Sequence, residues 1–270
     1  LYGQTLILAE RYREALDVYR RLQVEYPKEP DNYRLLAALY EQNDDPYMAL
    51  ATLDSAEMRF GRIPYLSAMK RQLLIATRQT DKAIDEARAL VEEVPYEAAH
   101  HVALAELYGI SGKDSLALAE YDCALKIDST DIRTLMSLAD FHTTKRNYRR
   151  LLEVTRRLFE SDDMPLETKI RRFEQFTSDI NFYRQYYFQL NDLASTLAIR
   201  YPNDPLVVEL YAGHLIASGE LERALTLYKL HLADRPPVKS FFQAVIDIES
   251  YQQHADSMMH YVSRALELFP

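Results

Sequence analysis

The 270-residue chain has a single cysteine, Cys123, so it can form no intrachain disulfide. Tryptophan is absent and glycine occurs only six times. So little glycine argues against a phosphate-cradling loop or an all-β sandwich, which both need backbone freedom. No apolar run approaches the roughly 18 residues that cross a bilayer. Positive charge is also in short supply: 32 Lys and Arg stand against 41 Asp and Glu, net −9. A chain that mainly neutralises phosphates needs the opposite balance, so no nucleic-acid partner is expected. What remains, 48% hydrophobic and 27% charged residues, describes a folded, helix-rich chain.

The charge is unevenly spread. Residues 1–130 hold 15 basic and 22 acidic side chains, residues 131–200 hold 12 and 10, and residues 201–270 hold 5 and 9. A mildly basic middle separates two acidic ends.

Self-similarity organises the chain. Ala15, Ala49, Ala83 and Ala117 recur at intervals of 34. Tyr19, Leu53, Ala87 and Tyr121 follow four residues later, and Leu22, Ala56, Leu90 and Ala124 seven residues later. This i, i+4, i+7 pattern is one helical face. Pro27, Gly61, Pro95 and Ser129 then end each stretch. Upstream, Gly3, Ala37, Arg71 and Ala105 keep the same interval, followed by Leu6, Tyr40, Leu74 and Tyr108. Each unit therefore predicts two amphipathic helices joined by a short polar turn. Small residues stand where two close helices cross.

The period continues through Ala139 and Leu151, slips by five residues, and returns at Leu190, Ala224 and Met258. The expected location of the insertion is Met164 to Ile170. In the third unit Lys70 and Arg71 take apolar and small slots, and the face Leu66, Met69, Leu73 reads as displaced by one residue. The run Phe173, Phe176, Phe182, Tyr183, Tyr186, Tyr187 and Phe188 reads first as core filling around the irregular unit, with a partner-binding hot spot as the alternative. Leu1 lies inside a first helix and Pro270 closes a repeat, as in a segment of a longer array.

Tyr33, Leu36, Ala37, Tyr40, Ala49, Leu53 and Gly61, with Tyr211, Ala212, Leu215, Ala224, Tyr228 and Pro236, resemble the tetratricopeptide repeat (TPR) family. The resemblance spans the chain. It implies an all-α fold: a right-handed α-α superhelix, the TPR solenoid of antiparallel helix pairs. Its expected organisation is five repeats over 1–165, the first truncated, an irregular sixth over 166–204, and two more over 205–270, in one continuous solenoid.

Catalytic and metal motifs are missing. There is no HExxH, CxxC or nucleophile elbow, and adjacent His100 and His101 diverge by about 100° on a helix. Neither enzyme activity nor a cofactor or metal is expected. His142 and His231 fall on core slots, and Cys123 reads as a small packing residue. Asp44-Asp45 and Asp162-Asp163 read as turn and capping residues, and Asp204-Pro205 as an N-cap followed by Pro at the first helical position. Arg146, Arg149, Arg150, Arg156 and Arg157 form a basic stretch. It is either a docking patch for an acidic partner or a solvated outer face.

The family resemblance implies a concave groove lined by the first helix of each pair. Its slots fall on Arg34, Glu41, Val102, Glu106, Arg133, Met136 and Asp140, and in the irregular unit on Gln175, Phe176 and Asp179. Arg34 is followed one turn later by Ala38, so the Lys-Asn carboxylate clamp of chaperone-binding members is not expected. The implied function is a non-catalytic scaffold binding a protein or peptide in the groove. The alternatives are a self-associating spacer, which would be a homo-oligomer, or the regulatory array of a larger enzyme or envelope-assembly protein. With 23 Arg to 9 Lys, the resemblance points to a bacterial cell envelope or periplasm, with the cytoplasm as alternative.

Overall fold

The computed structural model describes residues 2–269; Leu1 and Pro270 lie outside the described residues. It is all-α. One compact unit ends at Ser129 and holds α1 (Tyr2–Leu8), α2 (Tyr12–Glu25), α3 (Pro30–Gln42), α4 (Pro46–Phe60), α5 (Pro64–Ala76), α6 (Thr80–Glu93), α7 (Ala98–Ile110) and α8 (Asp114–Ile127). The second begins at Thr130. It holds α9 (Ile132–Thr144), α10 (Tyr148–Glu160), α11 (Leu166–Thr177), α12 (Ile180–Gln185), α13 (Tyr187–Arg200), α14 (Pro205–Ala217), α15 (Leu221–Asp234), α16 (Lys239–Tyr251) and α17 (Ala255–Leu268). No described helix is long and apolar enough to cross a membrane.

Within each unit, the first helix of a pair packs on its second, and consecutive pairs stack. Ala15, Ala37, Ala49, Ala83, Ala105, Ala117, Ala139, Ala212 and Ala224 are fully buried where helices approach. Gly3 shows the reason: a Cβ there would lie 2.8 Å from the Tyr19 ring. Asp45 and Asp204 cap α4 and α14 through Met48 N (3.1 Å) and Leu206 N (2.9 Å), each ahead of a Pro at the first helical position.

The turn inside a pair follows one rule. Glu10, Asp44, Arg78, Gly112, Arg146, Gly219 and Gln253 all have φ between 53° and 84°. The next residue donates its N–H to a carbonyl five residues back, as Asp45 does to Tyr40 (2.9 Å) and Asn147 to His142 (2.9 Å). This is the left-handed closure that satisfies orphan helix carbonyls. Five of the seven are not glycine, although side chains disfavour this backbone.

The irregular repeat departs at that turn. α11 begins 34 residues after α9, so nothing is inserted at Met164–Ile170, contrary to the sequence expectation. The five extra residues lie after α11, where 178–186 replace the three-residue turn and form α12. Asp179 caps α12 by accepting from Asn181 N (2.8 Å) and Phe182 N (3.3 Å). Phe173 occupies the slot that Ala37, Ala105 and Ala139 hold elsewhere, and it is buried. A ring there holds α11 away from close approach, and α10 packs against α13.

The third repeat is not displaced. α5 starts in register at Pro64, and Leu73 and Leu74 are buried as Leu39 and Tyr40 are in α3. Lys70 sits in the slot of Leu36 because carboxylates surround it. Its Nζ lies 2.6 Å from Glu57, 2.8 Å from Asp54 and 3.2 Å from buried Glu86. These partners hold the ammonium pKa above its usual range against the opposing cost of burial.

The fourth residue of a first helix has its own task. Tyr33 OH donates to Pro27 O (3.3 Å), the His101 imidazole reaches Pro95 O through Nε2 (3.0 Å), and Lys169 Nζ donates to Ser161 O (2.6 Å). Each ties a first helix to a carbonyl just past the preceding second helix, where the helix dipole favours a donor or cation. Lys169 is fully buried and also donates to Tyr201 OH (2.9 Å).

Candidate functional site

In the first unit, Arg34 is half-buried and bonded to Asp31 (2.9 Å), Glu41 and Glu106 are exposed, and Val102 is half-buried. Arg71, in a small-residue slot, is half-buried and interacts electrostatically with Glu86 and Glu106, while burial lowers its pKa. A cleft of ≈ 460 Å³ lies between α4, α5 and α6, lined by Tyr47, Leu50, Asp54, Glu57, Lys70 and Glu86 among others. None of the four groove slots of this unit lines it. Its charges already partner one another, with Arg62 Nε 3.1 Å from Glu57 and bonded to Glu93. A ligand would have to displace those pairs.

The second unit holds a different cleft, ≈ 430 Å³, between α11, α12 and α14. Ile170, Phe173, Ile180, Tyr183, Leu206 and Leu210 make its walls, Gly213 and Ala217 leave it room, and Glu174 and Glu209 are its exposed carboxylates. A Cβ on Gly213 would meet nothing within 4 Å. His214 is buried beneath it, its Nδ1 2.9 Å from Tyr183 OH and its ring stacked on Tyr187 at 5.2 Å. Burial pushes its pKa below the ordinary 6.5, so it is neutral at pH 7.

A third cleft, ≈ 450 Å³, lies beside α9, α10, α11 and α12. It brings together Asp140, Gln175, Phe176 and Asp179, with Arg172, Tyr148 and Phe182. Asp179 is committed to capping α12. Burial lowers the Arg172 pKa, against the opposing charge of Asp140. Arg133 and Met136 are exposed on α9 and do not line it.

The insertion's true place changes the slots. In register with α3, the positions of Arg34, Ala38 and Glu41 correspond on α11 to Ile170, Glu174 and Thr177 rather than to Gln175 and Asp179. All three line the apolar cleft, and sequence reasoning missed them. The expected core of aromatics is buried only at Phe173. Phe176, Phe182, Tyr183, Tyr186 and Tyr187 are half-buried, with Phe176 stacked on Phe182 at 5.8 Å, and Phe188 is exposed.

The basic stretch sits opposite the buried face of α10, which is Leu151, Leu152, Val154, Thr155, Leu158 and Phe159. Arg146 is the left-handed turn residue before the helix. Arg150 pairs with Glu153 (2.7 Å) and Arg156 with Glu160 (3.2 Å), Arg149 is exposed, and Arg157 is half-buried. His142 and His231 are buried on their core slots. One further cluster, His101, Glu120 and Cys123, has the donor types of a metal site. Its members lie 19 and 22 residues apart on two helices, so no local motif marks it.

No protein-family model and no curated protein matches the sequence. Solved structures do. The C-terminal part of a TPR repeat-containing protein from Cytophaga hutchinsonii is 15% identical, with 90% of this chain and 98% of that one covered and a TM-score of 0.51. A tetratricopeptide repeat protein from Parabacteroides merdae is 14% identical over 100% of this chain and 91% of that one, TM-score 0.48. YrrB, described as a TPR protein with an unusual peptide-binding site, is 14% identical over 59% of this chain and 82% of that one, TM-score 0.44. The fold is that of the tetratricopeptide repeat.

Proposed function

We propose that the chain is a non-catalytic scaffold that docks a peptide segment of a partner protein, and that the segment seats between α11, α12 and α14. TPR-fold neighbours support the scaffold reading, and the apolar cleft supports seating the segment there. The observation that carries the reading is this apolar hollow of ≈ 430 Å³ on helical walls with two exposed carboxylates, Glu174 and Glu209. An apolar side chain of the partner enters, and a Lys or Arg flanking it meets the carboxylates. Burying one Leu or Phe side chain contributes about 1.5–3 kcal/mol. A micromolar complex needs about −8 kcal/mol, so backbone and flanking contacts must supply the rest. Rigid helices lose little order on binding, and the peptide bears most of that cost.

A non-catalytic role is supported by the chemistry of the cleft. Glu174 and Glu209 are exposed rather than held in a buried acid-base pair, and the His214 imidazole is engaged through Nδ1 with Tyr183 OH and stacked on Tyr187. The test is selection of displayed random peptides on the full chain, with counter-selection on Gly213→Phe. Enrichment of peptides pairing a large apolar residue with a cation, and their loss from the variant, is the expected result. Enriched peptides that lack such a pair, or that bind the variant equally, contradict the assignment.

A further inference from the structure

His101 on α7 and Glu120 and Cys123 on α8 form a cluster in the first unit. His101 Nδ1 lies 2.7 Å from Glu120 Oε2, and its Nε2 lies 3.0 Å from Pro95 O. A carbonyl oxygen only accepts, so Nε2 bears a hydrogen. The other ring nitrogen then faces a carboxylate oxygen at contact distance. Two lone pairs cannot share that space, so a proton or a cation must lie between them. Cys123 Sγ joins the pair, with all three donor atoms within 4.8 Å of one another.

We propose that His101 Nδ1, Glu120 Oε2 and Cys123 Sγ form a binding site for a thiophilic divalent cation of the Zn²⁺ class. Three features carry this. The donor set joins imidazole, carboxylate and thiolate, which suits Zn²⁺ or Co²⁺ and not Mg²⁺ or Ca²⁺. The Nε2–H to Pro95 O bond is the outer contact that metal-bound histidines make, and it aims Nδ1 at the site. Burial is graded, with His101 nearly closed off and Glu120 and Cys123 half-buried, so an ion can enter from solvent on their side. Bonds of about 2.0 Å to nitrogen and oxygen place tetrahedral donors roughly 3.3 Å apart. The pair at 2.7 Å therefore opens by about 0.6 Å, a small rotamer change for Glu120. The ion would staple α7 to α8 and leave a fourth position to water.

The experiment uses the full chain after chelator treatment, titrated with Co²⁺ and separately with Zn²⁺. Wild type is expected to bind one Co²⁺ with a near-ultraviolet thiolate-to-metal absorption, and to melt at a higher temperature with Zn²⁺ but not with Mg²⁺. Cys123→Ser should lose the absorption, and Glu120→Gln should bind Zn²⁺ at least about 10-fold more weakly. Both variants are first matched to wild type in helicity; Glu120→Gln preserves shape and decides the matter if Cys123→Ser unfolds. Absence of the thiolate absorption in wild type overturns the proposal. So does Zn²⁺ affinity unchanged in Glu120→Gln, which would place the ion on other histidines.

Discussion

Lys70 shows how one residue rewrites a repeat. Its slot holds Leu36, Leu104 and Leu138 in neighbouring repeats, and Glu86 occupies the slot of Thr52. Once Glu86 is buried, Lys70 becomes its required partner. Lys70→Leu alone should cost about 3 kcal/mol, because it leaves a carboxylate without its nearest cation. Lys70→Leu with Glu86→Thr restores the neighbours' residues and should return to within about 1 kcal/mol of wild type. Chemical denaturation of the three proteins checks this; an additive or greater loss in the double variant would mean the ion network itself stabilises the repeat. A second test concerns the turn. Arg78 is exposed with φ 59°, and Arg78→Gly should stabilise by about 0.5–1 kcal/mol net of glycine's greater unfolded-state freedom. Unchanged or lower stability would show that the Arg78 side chain contributes more than its backbone costs.

At the scale of elements, the period was legible and the insertion's place was not. Alanine at fixed intervals marks the second helices, and Asp45-Pro46 and Asp204-Pro205 mark helix starts by capping chemistry. In the sixth repeat Phe173 replaces the small marker residue, and Pro165 marks a break one helix before the extra residues. The segment 178–186 contains neither Gly nor Pro, and Asp179 was the one local sign that a turn had become a helix. The α11 counterparts of Arg34, Ala38 and Glu41 were missed for that single reason, and with them the apolar cleft. The third repeat was misread for another: a buried ion network involves partners on three helices, which periodicity does not report. Gly213 lies exposed in the interior of α14, where glycine weakens a helix. Gly213→Ala should therefore raise stability by about 1 kcal/mol, read by thermal melting. If instead it destabilises, the glycine is needed for packing and the cleft is not free space.

For the molecule as a whole, acid response should divide the two units. His142, His214 and His231, all in the second unit, have pKa values below the ordinary 6.5 because burial disfavours the imidazolium. Their contribution is fully present above pH 6.5 and falls as the unfolded chain takes up protons that the folded chain refuses. Glu249, bonded to Lys229, His254 and Ser257, has its pKa held at about 2. Its contribution is present above about pH 4.5 and is lost as pH falls toward 2. Hydrogen exchange at pH 7.5 and 5.5 should show protection lost first in residues 130–269; earlier loss in 2–129 would contradict the assignment.

The proposed docking place is the cleft between α11, α12 and α14. The most direct measurement is the dissociation constant of a fluorescent peptide pairing a Leu or Phe anchor with a neighbouring Arg, for wild type, Gly213→Phe and Arg34→Glu. A Cβ on Gly213 has open space within 4 Å, so Gly213→Phe sets a ring at the cleft wall; the variant is first matched to wild type in helicity and melting. Wild type should bind at micromolar concentration, Gly213→Phe at least about 10-fold more weakly through loss of one anchor's burial, and Arg34→Glu like wild type. Equal affinity for wild type and Gly213→Phe would contradict this, and a loss confined to Arg34→Glu would place docking in the first unit.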